Sequence, residues 1–183
     1  MTTLENRPNR ALLVVDMQVG VVREAYEIPR VTATIKALVA KARHAGVPVV
    51  WVQDHGEGRA VGSDAWQLVD ELDPADGEPR VGKAFGDAFA DTDLEDILAA
   101  ERVGEVVLVG AASEQCIRCT MHSAVVRGYD VALVKGAHTT TDLTSYGMPE
   151  PEVVVSFIDM VAAFGMQWPG RAGRSVTPDE LDL

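Results

Sequence analysis

Residues 106–129, VVLVGAASEQCIRCTMHSAVVRGY, determine the fold of this chain and contain its most reactive side chain. An apolar, β-branched run ends at Gly110, and Cys116 then opens a pattern with helical spacing. This order predicts a buried strand, a tight turn and a helix, with the thiol near the free N–H groups of the helix start. Because that end of a helix favours negative charge, the position predicts a thiol with a lowered pKa.

The rest of the chain alternates between buried strands and amphipathic helices. Apolar runs predict strands at 11–15, 47–52, 105–110 and 130–134. A short strand that ends in Lys83 is predicted at 80–83, and 174–177 is compatible with a short edge strand. Helices are predicted at 29–45, from a capping box at 92–95 to about 102, from Cys116 to about 128, and at 151–164. One or two helical turns are also predicted around 65–72, within an otherwise irregular segment. The alternation predicts a three-layer α/β/α Rossmann-like sandwich with a mainly parallel five- or six-stranded sheet.

Length and composition predict one globular domain over residues 1–183, with about 1–9 and 165–183 peripheral. The formal net charge of -12 argues against nucleic acid or an anionic membrane as the partner. We find no apolar run long enough to span a bilayer and no secretory signal near the N-terminus, so a cytoplasmic location is expected. Two cysteines three positions apart do not indicate a disulfide framework.

Three candidate reactive residues follow the carboxyl ends of separate predicted strands. Asp16 follows the first strand, Lys83 ends the third, and Cys116 follows the fourth. Since the carboxyl ends of parallel strands meet at one edge of a sheet, we expect these residues to lie together. Asp16 can then accept the thiol proton, Lys83 can stabilise the thiolate, and Cys116 can attack a carbonyl carbon.

The same residues carry a resemblance to a known family. The sequences DMQ at 16–18, GAASEQCIRCT at 110–120 and GYDVALVKGAHTTTD at 128–142, with Lys83 before a phenylalanine-bearing loop, resemble the isochorismatase-like cysteine hydrolases, which include nicotinamidase-related amidohydrolases. The resemblance extends from about residue 11 to 164. It implies a six-stranded Rossmann-like fold.

The resemblance also implies how the site would work. It implies an Asp-Lys-Cys catalytic triad of Asp16, Lys83 and Cys116. It implies a cis peptide bond between Ala111 and Ala112. The backbone N–H groups of Ala112 and Cys116 would form the oxyanion hole.

Two departures from the family pattern bear on function. Nicotinamidase members hold a metal through an Asp-x-His motif and a further histidine, whereas Asp54 and His55 are adjacent here and the next histidine is His122. The sequence therefore predicts no metal and no other cofactor. Members that hydrolyse the vinyl ether of isochorismate need not use a cysteine, so the presence of Cys116 favours amide hydrolysis.

Several other side chains are candidates for substrate binding, although ordinary packing or loop bonding explains each of them equally well. Specificity is expected to reside in the segments 17–26, 55–72 and 137–149. The candidates are Gln18, His55, Trp66, Phe85, His138 and Thr140.

The leading hypothesis is a metal-independent cysteine hydrolase that cleaves a C–N amide bond of a small molecule through a thioester. Isochorismate-type vinyl ether hydrolysis is the alternative reaction. A thiol redox protein using Cys116 and Cys119, or a non-catalytic binding protein, are alternatives of other classes. Apolar positions around the last helix lead us to expect a homo-oligomer.

Overall fold

A central strand with apolar side chains on both faces organises the fold. This strand, β1 (Asn9–Val15), directs Leu13 and Val15 into one hydrophobic core and Leu12 into a second core on the opposite face. Such a strand must be covered on both sides, as in parallel sheets flanked by helices. The computed structural model describes residues 2–183 and has this three-layer α/β/α architecture.

The sheet has seven strands in the order β3-β2-β1-β4-β5-β7-β6. All neighbouring pairs are parallel except β6 with β7, so the mainly parallel Rossmann-like sandwich is confirmed with more strands than predicted. Beside β1, the strands are β2 (Val49–Asp54), β3 (Arg80–Lys83), β4 (Val103–Ala111), β5 (Asp130–Thr139), β6 (Gln167–Trp168) and β7 (Arg171–Val176).

The helices lie on both faces of this sheet. α2 covers the face that bears Leu12, and buried residues of α3, α4 and α5 pack into the other core. The helices are α1 (Val19–Val22), α2 (Ile28–Ala45), α3 (Leu94–Ala100), α4 (Arg118–Arg127) and α5 (Pro151–Met160), with π-helical turns at Ser113–Ile117 and Val161–Gly165 and a 3₁₀ turn at Thr144–Tyr146. In the part of the chain that the structure describes, no helix has the length and apolarity needed to cross a membrane.

Two predicted strands differ from the observed ones. β5 continues to Thr139, five residues beyond its predicted end, because a register shift lets His138 pair with Gly110 of β4. The C-terminal segment expected to be peripheral contributes β7, which lies between β5 and β6 instead of at the edge. Its residues Gly173 and Val176 are buried against the sheet, so this segment belongs to the core.

Two predicted local features do not form. Residues 65–72 contain turns instead of a helix, because their backbone is bonded to the segment after β1, as in the bond from the Val19 N–H to the Gln67 carbonyl. The predicted capping box is wrong as well. The Thr92 hydroxyl donates to the Ala88 carbonyl at 2.6 Å, and α3 begins only at Leu94.

Gly110 allows β1 and β4 to approach each other closely at their carboxyl ends. It pairs with Val15, and its φ of 120° lies in the region that favours glycine. A Cβ at this position would lie 2.0 Å from the Val15 carbonyl oxygen. The glycine therefore keeps Asp16, the residue after Val15, beside the turn that carries Cys116.

Candidate active site

Asp16, Lys83 and Cys116 meet at the carboxyl edge of the sheet. The Lys83 Nζ lies 2.6 Å from the Asp16 Oδ2 and donates a hydrogen bond to the Cys116 Sγ at 3.3 Å. Asp16 and Lys83 are each 1% exposed, whereas Cys116 is partly exposed. A thiol, a carboxylate and an ammonium group are thus in mutual contact, with only the thiol open to solvent.

Local backbone structure orients the two charged residues. Asp16 has a φ of 50°, a left-handed conformation that aspartate adopts more readily than most residues. Its N–H donates to the Val52 carbonyl, which anchors it to β2. Lys83 is the last residue of the edge strand β3, and its carbonyl accepts from the His55 N–H. The long lysine stem spans the end of β2 to reach Asp16.

Cys116 lies in a π-helical turn, not at the start of an α-helix as predicted. The turn covers Ser113–Ile117, and α4 begins after it. The Ala112 carbonyl accepts the N–H groups of both Gln115 and Ile117, while the intervening N–H of Cys116 is not one of its donors. The peptide bond between Ala111 and Ala112, for which the resemblance implies the cis form, is cis in the structure.

The prediction of a lowered thiol pKa is wrong. Burial, together with the negative charge of Asp16, raises the pKa of Cys116 to about 12, and the Lys83 ammonium only partly opposes this. The helix-start argument fails because it assumed a solvated thiol, whereas desolvation dominates at this position. The raised pKa favours the neutral thiol before substrate arrives.

Lys83 and Asp16 form a buried pair beside Cys116 that can take part in proton transfer. Burial lowers the pKa of Lys83, but the charge of Asp16 and the hydrogen bonds to Asp16 and Cys116 outweigh burial and raise the pKa above its usual value. Burial raises the pKa of Asp16, opposed by Lys83. The Asp16 Oδ1 is buried with no hydrogen-bond partner among residues 2–183. This oxygen is free to receive a proton.

Cys116 opens into a cleft of about 270 Å³. A neighbouring groove of about 340 Å³ shares Gly20, Val21 and Thr141 with the cleft. Apart from the π turn and the strand ends, the lining residues fall in the three segments expected to hold specificity. The cleft is lined by Asp16, Gly20, Val21, Asp54, Arg59, Ala112, Glu114, Gln115, Cys116, Thr141 and Leu143.

Sequence reasoning missed the charged residues on the cleft wall. The Arg59 Nε donates to the Asp54 Oδ2 at 3.0 Å. Burial would raise the pKa of Asp54, but the Gly56 N–H and the Arg59 guanidinium outweigh it and lower the pKa. Glu114 has a buried Oε2 without a hydrogen-bond partner among the described residues. The only sequence signal was the position of Glu114 two residues before Cys116.

Three predicted substrate-binding residues are buried away from the cleft. Gln18 donates to the carbonyls of Asp54 and Trp66 at 2.9 Å each and accepts from the Asp54 N–H at 2.8 Å, so its amide holds the loop. The Thr140 carbonyl accepts from the Tyr26 N–H. His138 is bonded to Ser113 and Asp159, neither of which lines the cleft.

The remaining three candidates lie outside the cleft lining as well. His55 is exposed, and its ring packs near Gly82 of β3. Trp66 is partly buried, and Phe85 is largely exposed in the loop after β3. Loop residues such as these could not be assigned to the cleft because sequence pattern does not give the path of a long loop.

We find no candidate metal centre in the described residues. No group of three or more His, Cys, Asp or Glu side chains there is arranged to hold an ion. Asp54, the carboxylate next to His55, is paired with Arg59. This pairing occupies the carboxylate that an Asp-His metal motif would require.

The fold and the clustered thiol, carboxylate and ammonium define a class of α/β protein suited to nucleophilic chemistry at the edge of its sheet. The model of the isochorismatase domain matches residues 10–148, which is more than half of the chain. The chain therefore belongs to the isochorismatase family.

Individual relatives agree with this assignment. A streptothricin hydrolase from Streptomyces noursei is 39% identical over 143 residues, covering 75% of this chain and 57% of the relative. The ureidoacrylate amidohydrolase RutB from Cronobacter sakazakii is 27% identical over 161 residues, covering 65% of this chain and 69% of RutB. A crystal structure of an isochorismatase family protein superposes with a TM-score of 0.80 at 26% identity, covering 93% of this chain and 98% of that one. The chain spans about half the length of the streptothricin hydrolases that it matches.

Proposed function

We propose that this protein hydrolyses a C–N amide bond of a small molecule, with Cys116 as the nucleophile and a thioester as the intermediate. The observation that carries the proposal is the contact of a thiol with a buried Asp16–Lys83 pair at the mouth of a cleft. Relatives named as hydrolase and amidohydrolase support the reaction type. We expect no metal or cofactor to take part.

In the first half of the reaction, the Asp16 Oδ1 takes the proton of the Cys116 thiol, and the sulfur attacks the carbonyl carbon of the substrate. Proton transfer is needed because the thiol, with a pKa of about 12, is not ionised at neutral pH. The N–H groups of Ala112 and Cys116 donate to the oxyanion that forms. Lys83 remains an ammonium and balances the negative charge.

In the second half, Asp16 returns its proton to the leaving nitrogen as the C–N bond breaks, and the acyl group stays on Cys116 as a thioester. A water molecule then gives a proton to Asp16 and attacks the thioester carbonyl carbon. The carboxylic acid leaves, and the proton on Asp16 returns to the sulfur. The three side chains end in their starting forms.

The cleft favours a compact substrate. Its volume of about 270 Å³ is close to the lower end of ligand sites in proteins. The groove that shares Gly20, Val21 and Thr141 could hold a longer substituent. Glu114, whose Oε2 has no partner among residues 2–183, is available to accept hydrogen bonds.

A panel of amides tests the proposed reaction. Purified protein should release ammonia from at least one primary amide or ureido compound and should leave isochorismate intact. The measurement is ammonia release, with isochorismate consumption and disulfide exchange followed in parallel. Consumption of isochorismate without any amide cleavage would favour vinyl ether hydrolysis, and disulfide exchange alone would favour the redox alternative. Inertness in all three assays would favour a binding protein.

We propose that this chain acts as a homo-oligomer in the cytoplasm. Val153, Phe157, Met160 and Phe164 form an apolar stripe along α5 and the turn after it, and each is 50% exposed or more. Their spacing keeps them on one helix face. Two copies with a net charge of -12 each repel, so a contact between them requires an uncharged face such as this stripe.

Substitution within the stripe tests this assembly. Phe157→Asp should reduce the mass measured by light scattering to that of the 19.6 kDa chain, because a charge in the interface stays solvated only in the monomer. Val126→Asp alters an exposed apolar residue of α4 outside the stripe and should leave the mass unchanged. A wild-type protein of 19.6 kDa at micromolar concentration, or two variants with equal masses, would contradict the stripe as the interface.

A further inference from the structure

A hydrogen-bonded chain, buried at Ser113 and His138, links the nucleophile turn to α5 and β7. The Ser113 Oγ lies 2.8 Å from the His138 Nδ1, and the His138 Nε2 lies 3.4 Å from the Asp159 Oδ1. Ser113 and His138 are 0% and 1% exposed. The Ser175 hydroxyl donates to the same Asp159 oxygen at 2.6 Å, so the far end of the chain is held by β7 as well as α5.

These partners fix the orientation of the histidine ring. Burial would raise the pKa of Asp159, but hydrogen bonds from His138 and Ser175 outweigh it and lower the pKa, so the carboxylate is ionised. The Asp159 carboxylate lies where it can accept the Nε2–H of His138, and the Ser113 hydroxyl lies beside Nδ1. Both ring nitrogens of His138 therefore have a hydrogen-bond partner, which holds the ring between the turn and Asp159.

Ser113 is the first residue of the turn that carries Cys116 and directly follows Ala112. A π turn is a short and uncommon element, and its position relative to the sheet depends on contacts from outside the turn. His138 supplies such a contact from β5, where it pairs with Gly110 of β4. Neither Ser113 nor His138 lines the cleft.

We propose that Ser113, His138 and Asp159 are positioning residues, which fix the turn so that the Cys116 sulfur and the Ala112 N–H have the geometry that catalysis requires. The inference rests on the proposed function, since positioning matters only where Cys116 reacts. A displacement of about 1 Å in a reacting group can lower a rate on the order of 100-fold. The chain acts through the turn and touches no substrate.

Kinetics of three variants test the inference. Ser113→Ala and His138→Leu remove the first bond of the chain and should lower kcat about tenfold or more, with KM changed by less than about twofold. His138→Asn keeps an acceptor near the position of Nδ1 and should retain more activity than His138→Leu. Thr120→Val is the matched control, because Thr120 is a fully buried hydroxyl of α4 that bonds to the Ala88 N–H, away from the cleft.

The rate of Cys116 alkylation by iodoacetamide gives a second measurement that does not depend on turnover. It should change in Ser113→Ala and His138→Leu and remain at the wild-type value in Thr120→Val, for protein shown to be folded by circular dichroism. Unchanged kcat and unchanged alkylation in Ser113→Ala would overturn the inference. If wild-type protein cleaves no amide, the proposed function fails, and the alkylation rates still decide whether the chain positions the thiol.

Discussion

Replacement of Cys116 by alanine is expected to lower amide hydrolysis on the order of 10⁴-fold or more, because the attacking atom is removed while the cleft stays intact. Cys116 donates no bond on which the fold depends, and its neighbours Lys83 and Asp16 remain paired. The measurement is ammonia release from the best amide of the panel, with the thermal midpoint of unfolding as a check on folding.

Cys119→Ser is the matched control, since it alters the other free thiol of the chain, three residues further on. The Cys119 Sγ lies near Gly86, in the loop after β3, and does not line the cleft. A hydrolase should retain its turnover in Cys119→Ser, whereas a dithiol oxidoreductase should lose it. Full hydrolysis by Cys116→Ala would exclude the thioester mechanism.

Replacement of Lys83 by methionine is expected to abolish turnover and to lower the free energy of unfolding by about 3–5 kcal/mol. The substitution preserves most of the side-chain volume but leaves the carboxylate of Asp16 buried without its counter-ion. The double variant Asp16→Asn, Lys83→Met removes both charges, so it should be more stable than Lys83→Met while remaining inactive. Urea unfolding of the wild type, the two single variants Lys83→Met and Asp16→Asn, and the double variant gives the free energies of unfolding that make up this double-mutant cycle.

The pH dependence of the stability of Lys83→Met shows whether the destabilisation comes from the unpaired Asp16 carboxylate or from a packing defect. Burial already raises the pKa of Asp16, and loss of Lys83 removes the charge that opposes this shift. A carboxyl whose pKa is higher in the folded than in the unfolded state binds more protons when folded, so its contribution to stability is lost as pH rises. The free energy of unfolding of Lys83→Met, measured relative to that of the double variant, should therefore be higher near about pH 5 than near about pH 8. If the free energies of the two variants differ by the same amount at both pH values, the destabilisation comes from lost packing only.

The layers of the fold could be predicted from the sequence because the central strands β1, β2 and β4 contain continuous apolar runs and each main helix has a regular apolar stripe. The C-terminal end of β5 could not be predicted from the sequence. His138 and Thr139 are polar, yet they continue the strand because β4 offers pairing partners after a register shift. That pairing is long-range, and local pattern does not report it. The same holds for β7, whose polar sequence is fixed in the sheet by β5.

The clustering of Asp16, Lys83 and Cys116 could also be predicted, because the carboxyl ends of parallel strands lie at one edge of a sheet whatever path the loops take. The direction of the pKa shift of the thiol could be found only from the three-dimensional structure. Helix-terminus reasoning favours a thiolate, but the burial of Cys116 beside Asp16 reverses the direction of the pKa shift. Arg59 belongs to the cleft only because a long loop folds back onto Asp54, and no spacing in the sequence encodes that path.

Gly110 has a consequence for how such a site can diversify. The loops that contribute Val21, Arg59 and Leu143 can accept new side chains without moving the strand ends, so substrate preference can drift there. Position 110 cannot accept a side chain in this way, because even a methyl group would collide with the Val15 carbonyl. We therefore expect changes of substrate preference to arise from loop substitutions, whereas a side chain at position 110 would displace the strand ends that hold Asp16 and Cys116.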